Sequence, residues 1–502
     1  MAARADMPDV LLVTVDALRP DRLGCYGGDR AMAPHIDRLA DSACVFETAW
    51  AAGPNTPASF PGLMASRTAF QSGSLGVGEA PVTLAELLRS QGYGTFGFNA
   101  GNPYVSRFFG YDRGFDELRS FLEHTPTDGG VFDHVPQDEA AGTRVSGAAS
   151  AVRRAFRGAR AALKVPLRAL GLLRPLEPLW RPVLDHMRYW SRFRVKLDLE
   201  ERYWSAVSDW LEAPPERPFF LWLHPMTVHE PYCPPARCQR EVAGRALSMR
   251  RMIALRRAAG RVAEGDRSAL SDRDVRELRM LYDAEVRRMD ERLGVVLDAL
   301  RRQGRLERCL LIVTSDHGEQ FMEHGRCFHP SFHFNETLRV PLLVRLPGED
   351  EGRRVEREVG LVDLLPTVAD LLGAELPDGA CVGRSFAPLL RGEEMSTEGR
   401  LFVSESFYGP HGTFYQLDCR DLRRVKRRVS FQNRCIKLAA DGAAGTCSVF
   451  DLRSDPGEED DLSGRRPELE EAAMGLARCH FRRAERERVR RAFPGGPPGG
   501  RP

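Results

Sequence analysis

The chain has 502 residues, of which 42% are hydrophobic and 28% are charged, and its formal net charge is +2. This composition indicates a globular protein with room for more than one domain, and the small net charge lacks the basic field of a nucleic-acid-binding protein. Because the first residues lack the apolar stretch and cleavage site of a signal peptide, we expect no export signal there, and no apolar run is long enough to cross a bilayer. Because the 11 cysteines are odd in number and include no CxxC pair, we expect reduced thiols in a cytoplasmic protein.

Predicted strands and helices alternate through most of the chain. Asp9 to Val15 is a continuous apolar run, typical of a strand buried on both faces, and Asp16 follows it. The next elements are a helix at Thr83 to Ser90, strands at Gly92 to Phe98 and at Phe219 to Leu223, and a long helix at Ser271 to Arg302. This alternation predicts an α/β fold with a mainly parallel sheet.

A late strand, Cys309 to Ser315, leads directly into Asp316 and His317. Ligands of open α/β sheets bind at the carboxyl ends of the strands, which is where this pair lies. Gly318 permits a turn that would let both side chains reach one ion, although an Asp–His–Gly turn can also simply end a strand.

The last part of the chain divides into a small subdomain and a tail. A strand at Val340 to Arg345 and a helix at Val362 to Leu372 continue the main pattern, but past residue 400 it gives way to short strands separated by turns. We therefore predict a main α/β domain over 1–400, a small antiparallel α+β subdomain over 401–485 and a disordered tail over 486–502.

An insertion over about 121–200 stands apart from this pattern and is predicted to be helical and basic. Within it, 148–194 is rich in Arg, Leu and Ala, nearly free of acids, and amphipathic in places. A segment of this kind can lie on an anionic membrane surface or pack as helices over a cleft, and both interpretations remain open here.

Three candidate metal ligands, Asp16, Asp316 and His317, follow predicted strands that are distant in sequence. Carboxylate oxygens with an imidazole suit one divalent cation, and this set does not decide between calcium, magnesium, manganese and zinc. Thr56 lies in a turn-rich segment that enters a predicted helix. Its hydroxyl is either an N-cap or, close to a cation and a helix N-terminus, a nucleophile.

Several segments together resemble the sulfatase family of the alkaline-phosphatase superfamily. They include VLLVTVDALRPDRLGCYG, FFLWLHPMTVHEPY, VTSDHGEQFMEHG, ETLRVPLLVRLPG and VDLLPTVADLLG, in the family's order. The resemblance implies an alkaline-phosphatase-like three-layer α/β/α core and one divalent metal ion, with calcium, manganese or zinc as the candidates. It also implies hydrolysis of a sulfate or phosphate ester, carried by a small molecule, glycan or lipid, through a covalent intermediate.

Three departures from the family's motifs matter for the reaction. Ala17 stands where the metal site has a second aspartate, and Phe60 where the C/S-x-P-x-R motif has its Arg. Thr56 stands where the motif has the Cys or Ser that becomes formylglycine, and the methyl group on the Thr Cβ blocks oxidation to an aldehyde. The resemblance therefore implies a Thr56 nucleophile with Asp16, Asp316 and His317 around one metal, as in the phosphate-handling branches.

Two further histidines match catalytic positions of related enzymes. His329 corresponds to a substrate or second-metal histidine, and His229 is a better match than His224 for a substrate-contacting one; His324 and His333 are weaker candidates. Each of them can also have a purely structural role. We expect a hydrolase, with a phosphoryl-type transferase or a degenerate, non-catalytic family member as alternatives, and the substrate and oligomeric state stay open.

Overall fold

The computed structural model describes residues 7–72, 75–78, 80–126, 132–135, 173–408 and 425–492. Its strands are β1 Asp9–Val15, β2 Cys44–Phe46, β3 Ala49–Trp50, β4 Gly94–Asn99, β5 Glu117–Ser120, β6 Glu123–Pro126, β7 Phe132–Val135, β8 Phe219–His224, β9 Cys309–Ser315, β10 Gln320–Phe321, β11 Cys327–Phe328, β12 Arg339–Val340, β13 Leu342–Arg345, β14 Arg353–Val355, β15 Val359–Gly360, β16 Phe402–Tyr408, β17 Lys426–Gln432, β18 Ile436–Asp441 and β19 Thr446–Asp451. Its α-helices are α1 Pro34–Ala40, α2 Thr56–Ala65, α3 Ala69–Ser72, α4 Leu84–Ser90, α5 Leu173–Glu212, α6 Ala236–Ala243, α7 Met249–Ala263, α8 Asp272–Arg302, α9 Asn335–Leu338, α10 Leu364–Leu372, α11 Ala387–Leu390 and α12 Pro467–Ala492.

An eight-stranded sheet with the order β14-β2-β13-β9-β1-β8-β4-β5 forms the centre of the molecule. Strands β9, β1, β8, β4 and the edge strand β5 pair in parallel, and β13 runs antiparallel to both of its neighbours. Because the parallel strands run in one direction, the residues that follow β1, β4, β8 and β9 meet at one edge of the sheet.

The two faces of this sheet are covered by separate hydrophobic cores. Val10, Trp222 and Ile312 pack with residues of α2 and α10 on one face, whereas Leu11 and Val313 pack with residues of α5 and α8 on the other. Alternate residues of each strand thus face opposite helical layers, which explains the continuous apolar runs in β1 and β9. The predicted three-layer α/β/α core with a mainly parallel sheet is confirmed.

The described part of the insertion over 121–200 contains the β6–β7 hairpin and most of α5. From Phe193 onward α5 packs into the second core, with Tyr203 and Val207 fully or nearly fully buried, so this part of the helix covers the sheet. Residues 127–131 and 136–172 lie outside the described residues, and so does most of the 148–194 segment considered for membrane contact. Within the described ranges, no helix combines the length and the apolarity needed to span a bilayer.

The C-terminal part forms the small antiparallel sheet expected from the sequence. Strands β16, β17, β18 and β19 pair in chain order, and α12 lies against them through Ala473 and Ala477, which are buried in the first core. The helix α12 extends to Ala492, so it includes the first residues of the 486–502 segment that we predicted to be disordered. Arg and Glu in this segment are good helix formers, which accounts for the longer helix.

Candidate active site

Asp16, Asp316 and His317 lie together at the carboxyl edge of the sheet. Their side chains are fully buried. His317 Nε2 is 3.6 Å from Asp16 Oδ1 and 3.5 Å from Asp316 Oδ2, and Asp316 Oδ1 accepts a hydrogen bond from the backbone N–H of His317 at 3.0 Å. The parallel pairing of β1 and β9 brings the two aspartates together, because Val15 lies opposite Ser315.

His224, the last residue of β8, completes this cluster. One ligand atom each of Asp16, His224 and Asp316 lies within 4.8 Å of the other two. The Nδ1 atom of His224 is 2.7 Å from the Thr14 carbonyl oxygen, so Nδ1 carries the proton and Nε2 presents a lone pair. That lone pair is 3.4 Å from Asp16 Oδ2, and two acceptors facing each other at this distance repel unless a cation or a proton lies near them.

His317 presents its second ring nitrogen in the same way. Its Nδ1 is 2.8 Å from the Gly318 carbonyl oxygen, so the Nε2 lone pair faces the two aspartates. Three buried atoms of the cluster, Asp16 Oδ1, Asp316 Oδ2 and His224 Nε2, have no hydrogen-bond partner. Buried acceptors without donors are costly, and this donor-free set of oxygens and nitrogens fits one divalent cation.

The acid–base properties of the cluster reflect two buried carboxyl groups that repel each other, and a bound cation would relieve that repulsion. Burial opposes the ionisation of Asp16, yet the nearby His229, His224 and His317 hold the pKa of its carboxyl group well below the usual value. Burial and the adjacent Asp16 charge raise the pKa of Asp316 well above its usual value. Burial lowers the pKa of His317 to about 3, which keeps this imidazole neutral and able to ligate.

Thr56 is the first residue of α2, and its hydroxyl points into the cluster. Asn55 is the N-cap of the helix, because its side chain accepts the hydrogen bond from the Ala58 N–H, so the N-cap interpretation of Thr56 is wrong. The Thr56 Oγ1 atom lies 3.5 Å from Asp16 Oδ2 and 3.3 Å from His317 Nε2. Asn102, which follows β4, donates from Nδ2 to Thr56 Oγ1 at 2.9 Å and to Asp16 Oδ2 at 2.8 Å.

His329 and His229 lie next to the cluster. The rings of His329 and His317 have centroids 4.5 Å apart, and those of His329 and His229 are 4.9 Å apart. His329 Nδ1 is 3.0 Å from Glu319 Oε1, and Glu319 Oε2 accepts a hydrogen bond from the Tyr232 hydroxyl at 2.7 Å. Glu319 therefore orients His329 and leaves its Nε2 free to exchange a proton.

A buried lysine of α5 fixes the loop that carries His229. The Lys196 ammonium group donates to the carbonyl oxygens of Thr227, His229 and Pro231 at 2.8, 2.6 and 3.0 Å, and it lies 3.3 Å from Glu285 Oε1. Three backbone carbonyls held by one ammonium group leave the loop little freedom. The helix of the insertion thus takes part in shaping the site.

Comparison with known proteins decides the family. The family model described as Sulfatase matches residues 8–374, and one described as N-sulphoglucosamine sulphohydrolase, C-terminal, matches residues 322–478. The chain belongs to the sulfatase family.

Curated sulfatases include partial and nearly full-length relatives of this chain. Arylsulfatase K of Xenopus laevis is 31% identical over 199 residues, which cover 39% of this chain and 36% of that protein. Steryl-sulfatase of Mus musculus is 27% identical over 94% of this chain and 82% of its own length. The chain thus matches only about a third of the length of the arylsulfatases K, and much more of the steryl-sulfatase.

Solved sulfatase-family structures share the fold over nearly the whole chain. The phosphonate monoester hydrolase of Agrobacterium radiobacter has a TM-score of 0.61 and 19% identity, covering 96% of each chain. A protein solved with its substrate D-glucosamine-2-N,6-O-disulfate has a TM-score of 0.60 and 18% identity, covering 96% of this chain and 98% of that one.

Two departures from the sulfatase motifs have structural consequences. Ala17 has a φ of 61°, and its backbone N–H donates to Asp316 Oδ1 at 3.4 Å, so this position contributes a backbone contact in place of a carboxylate. Phe60 is fully buried, and its ring packs edge-on against His224, Trp222 and Tyr111 with centroid distances of 4.8, 5.9 and 5.8 Å. The position of the sulfatase Arg is therefore part of the apolar support of His224.

The structure brings together all six residues singled out for the site, namely Asp16, Thr56, His229, Asp316, His317 and His329. His224, which the sequence comparison ranked below His229, lies closer to the aspartates, and Asn102 was missed. Both follow strands of the sheet, and that position is the signal that could have found them. His333 is held between Ser430 and Ser406, and His324 pairs with Glu336, so both of these weaker candidates contact other parts of the chain.

Proposed function

We propose that this sulfatase-family protein is a metal-dependent hydrolase of phosphate-type or sulfate esters, with Thr56 as the nucleophile. The proposal rests on one observation. Buried acceptor atoms that lack hydrogen-bond donors lie together around the Thr56 hydroxyl. Asp16, Asp316 and His317 would hold one divalent ion, with His224 as a fourth candidate ligand. When bound, such an ion supplies Lewis-acid polarisation of the ester and lowers the pKa of a nearby hydroxyl group.

The proposed reaction uses the chain's own residues in defined roles. The Thr56 oxygen attacks phosphorus or sulfur while its proton passes to water, because Asp16 and His317, which its hydroxyl faces, would be engaged as ligands. Asn102 holds the attacking oxygen in place through its amide N–H. The bond to the leaving oxygen breaks, His329 gives that oxygen a proton, and water then hydrolyses the Thr56 ester.

Chemistry favours phosphate-type esters over sulfate esters for this chain. A formylglycine sulfatase expels sulfate from an aldehyde hydrate, and Thr56 cannot form that hydrate. A threonine phosphoester, by contrast, needs only in-line attack by water. The structural likeness to a phosphonate monoester hydrolase is compatible with this preference, and a glycan ester is a candidate because a second neighbour has a disulfated glucosamine as its substrate.

The test is a substrate panel combined with a matched pair of Thr56 variants. Aryl sulfate, phosphate monoester, phosphodiester and phosphonate substrates are each assayed with calcium, manganese and zinc. Thr56→Val preserves the shape of the side chain and removes the hydroxyl, so kcat should fall at least about a thousandfold, whereas Thr56→Ser should retain part of it. Full turnover by Thr56→Val would exclude the nucleophile.

The same assay separates the alternatives. Product that forms only when an acceptor alcohol is added would identify a transferase. A wild-type protein that binds an ion and cleaves no member of the panel would favour a non-catalytic family member, for which Ala17 and Phe60 are the specific observations.

A further inference from the structure

Two arginines lie on one aromatic ring next to the loop that carries His329, and a third arginine lies close to them. Arg326 and Arg428 lie on Phe332, with their guanidinium carbons 3.5 and 4.1 Å from the ring centroid. Arg428 also lies 3.8 Å from the centroid of the Tyr408 ring. The Arg267 side chain lies against Gly325, the residue before Arg326, and is therefore close to the other two arginines. We call Arg267, Arg326 and Arg428 the arginine cluster.

The arginine cluster carries more positive charge than its surroundings neutralise. Arg428 pairs with Asp441, whose Oδ2 is 3.0 Å from the Arg428 Nε. Among the described residues, neither Arg326 nor Arg267 forms an ion pair with a carboxylate. Burial, together with the charges of Arg267 and Arg428, lowers the pKa of Arg326 to about 10. Holding like charges this close costs free energy, which a bound anion would recover.

The arginine cluster is joined to the catalytic residues through one short segment. Arg326 and Phe332 flank His329 in sequence, so their stacking closes the loop that presents His329. Arg428 Nη1 donates to the Ser331 carbonyl oxygen at 3.0 Å, and Ser331 Oγ accepts a hydrogen bond from Asn55 Nδ2 at 3.4 Å. Asn55 caps the helix that begins with Thr56. The arginine cluster is therefore linked by contacts to the segments that carry Thr56 and His329.

We propose that Arg326 and Arg267, supported by Arg428, form a second anion subsite that binds a sulfate, phosphate or carboxylate group of the substrate other than the ester being cleaved. The proposal rests on the proposed hydrolase function and narrows its substrate class to esters with at least two anionic groups. Arg326 is half-buried and Arg267 is exposed, so an anion arriving from solvent can reach both. Guanidinium groups suit this role because they bind oxyanions through paired N–H groups.

A purely structural role for the stack would have different consequences. If Arg326 only closes the His329 loop, Arg326→Met should preserve that role, since its aliphatic chain still covers Phe332. In an anion subsite, Arg326→Met loses the function while Arg326→Lys keeps part of it, because only the lysine retains the charge. Arg267→Gln, at an exposed position, should add to the effect of Arg326→Met.

The experiment measures the binding of sulfonates, which imitate sulfate esters and are not hydrolysed. Calorimetry on metal-loaded full-length protein compares benzenesulfonate with benzene-1,3-disulfonate and naphthalene-2,6-disulfonate, which span different distances. In the wild-type protein we expect at least one disulfonate to bind about tenfold tighter than the monosulfonate, the gain of one charge-assisted contact. This ratio should fall towards one in the Arg267→Gln/Arg326→Met double variant. Titration with inorganic sulfate shows whether a free anion occupies the same arginines.

A matched control removes two positive charges elsewhere. Arg301→Gln/Arg302→Gln lies at the C-terminal end of α8, before β9 begins and hence at the opposite edge of the sheet. Equal affinities for mono- and disulfonates in the wild-type protein would overturn the subsite, and so would an equal loss in the control. Hydrolysis of esters without a disulfonate preference would leave the proposed function standing and remove the subsite. A disulfonate preference in a protein that cleaves no ester would support the subsite and argue against the proposed hydrolase function.

Discussion

Two clusters of histidine and carboxylate side chains in this protein have similar composition but differ in the charged groups around them. At the carboxyl edge of the sheet, Asp16, His224 and Asp316 face one another, and buried atoms of all three lack partners. At the junction with the C-terminal sheet, His324, Glu336 and Glu458 lie equally close together. There too, one buried atom of each residue lacks a hydrogen-bond partner. At the junction, however, the Lys437 ammonium group lies 2.6 Å from Glu458 Oε1, and the Asn335 N–H donates to Glu458 Oε2 at 2.6 Å.

The two clusters differ in whether the protein itself supplies the positive charge. The junction cluster already contains its positive charges, Lys437 and, when protonated, His324 beside Glu336. Among the described residues, neither Asp16 nor Asp316 pairs with a lysine or an arginine, so the cluster at the sheet edge fits the proposed cation. Residue type, spacing and unpartnered acceptors do not distinguish the two clusters, whereas a neighbouring cationic side chain does.

The largest expected effect comes from removing a ligand at the sheet edge. Asp16→Asn or Asp316→Asn should lose the bound divalent ion and reduce kcat on the order of a thousandfold or more, because the Lewis acid is lost. Elemental analysis of purified protein and turnover of the best panel substrate are the measurements. Glu336→Gln is the matched control and should keep one ion per chain; loss of the ion in this variant instead would reverse the comparison.

Disrupting the junction cluster should lower the stability of the protein without loss of the ion at the sheet edge. Glu458→Gln leaves the fully buried Lys437 ammonium group without its charge partner, so we expect a loss of about 3–5 kcal/mol in the free energy of unfolding. Urea titration of metal-loaded protein measures it. The double variant Lys437→Met/Glu458→Gln should recover much of the loss, and an unchanged midpoint in the single variant would argue against a buried ion pair.

Variants of Lys196 test whether catalysis depends on the position of the His229 loop as well as on the bound ion. Lys196→Met removes the donor to three loop carbonyls, so His229 should shift and kcat should fall by about 10- to 100-fold. The ion content should stay at one per chain, and partial rescue by Lys196→Arg would show that the charge-assisted contacts matter. A variant with altered KM and unchanged kcat would contradict this positioning role.

The smallest expected effect is a pH dependence of the junction. Burial lowers the pKa of His324, but the Glu336 carboxylate outweighs it and raises the pKa above the ordinary 6.5. The stabilisation is therefore fully present below about pH 6.5 and is lost as the pH rises through the higher pKa of the folded state. Unfolding measured from pH 6 to 9 should show a decline of about 1 kcal/mol or less, and His324→Gln should flatten it.

The residues at the ends of strands could be predicted from sequence because burial leaves a strong signal. The runs Asp9–Val15 and Cys309–Ser315 matched the observed strands, and this placed Asp16, Asp316 and His317 at one edge. The predicted end of β8 at His224 matched the observed strand, but the tautomer that the Thr14 carbonyl sets, which turns the His224 lone pair towards Asp16, is not visible in the sequence. Asn102 and the Lys437–Glu458 pair depend on contacts between segments far apart in the chain.

Phe60 makes the formylglycine motif difficult to restore in this chain. Reinstating the C/S-x-P-x-R motif would need Thr56→Cys, Ala58→Pro and Phe60→Arg, yet residue 60 lies in a buried aromatic pocket beside His224. An arginine there would be a buried charge without a partner, and it would also remove the ring that supports His224. A chain carrying these substitutions should therefore lose stability or ion binding before any aldehyde chemistry could be gained.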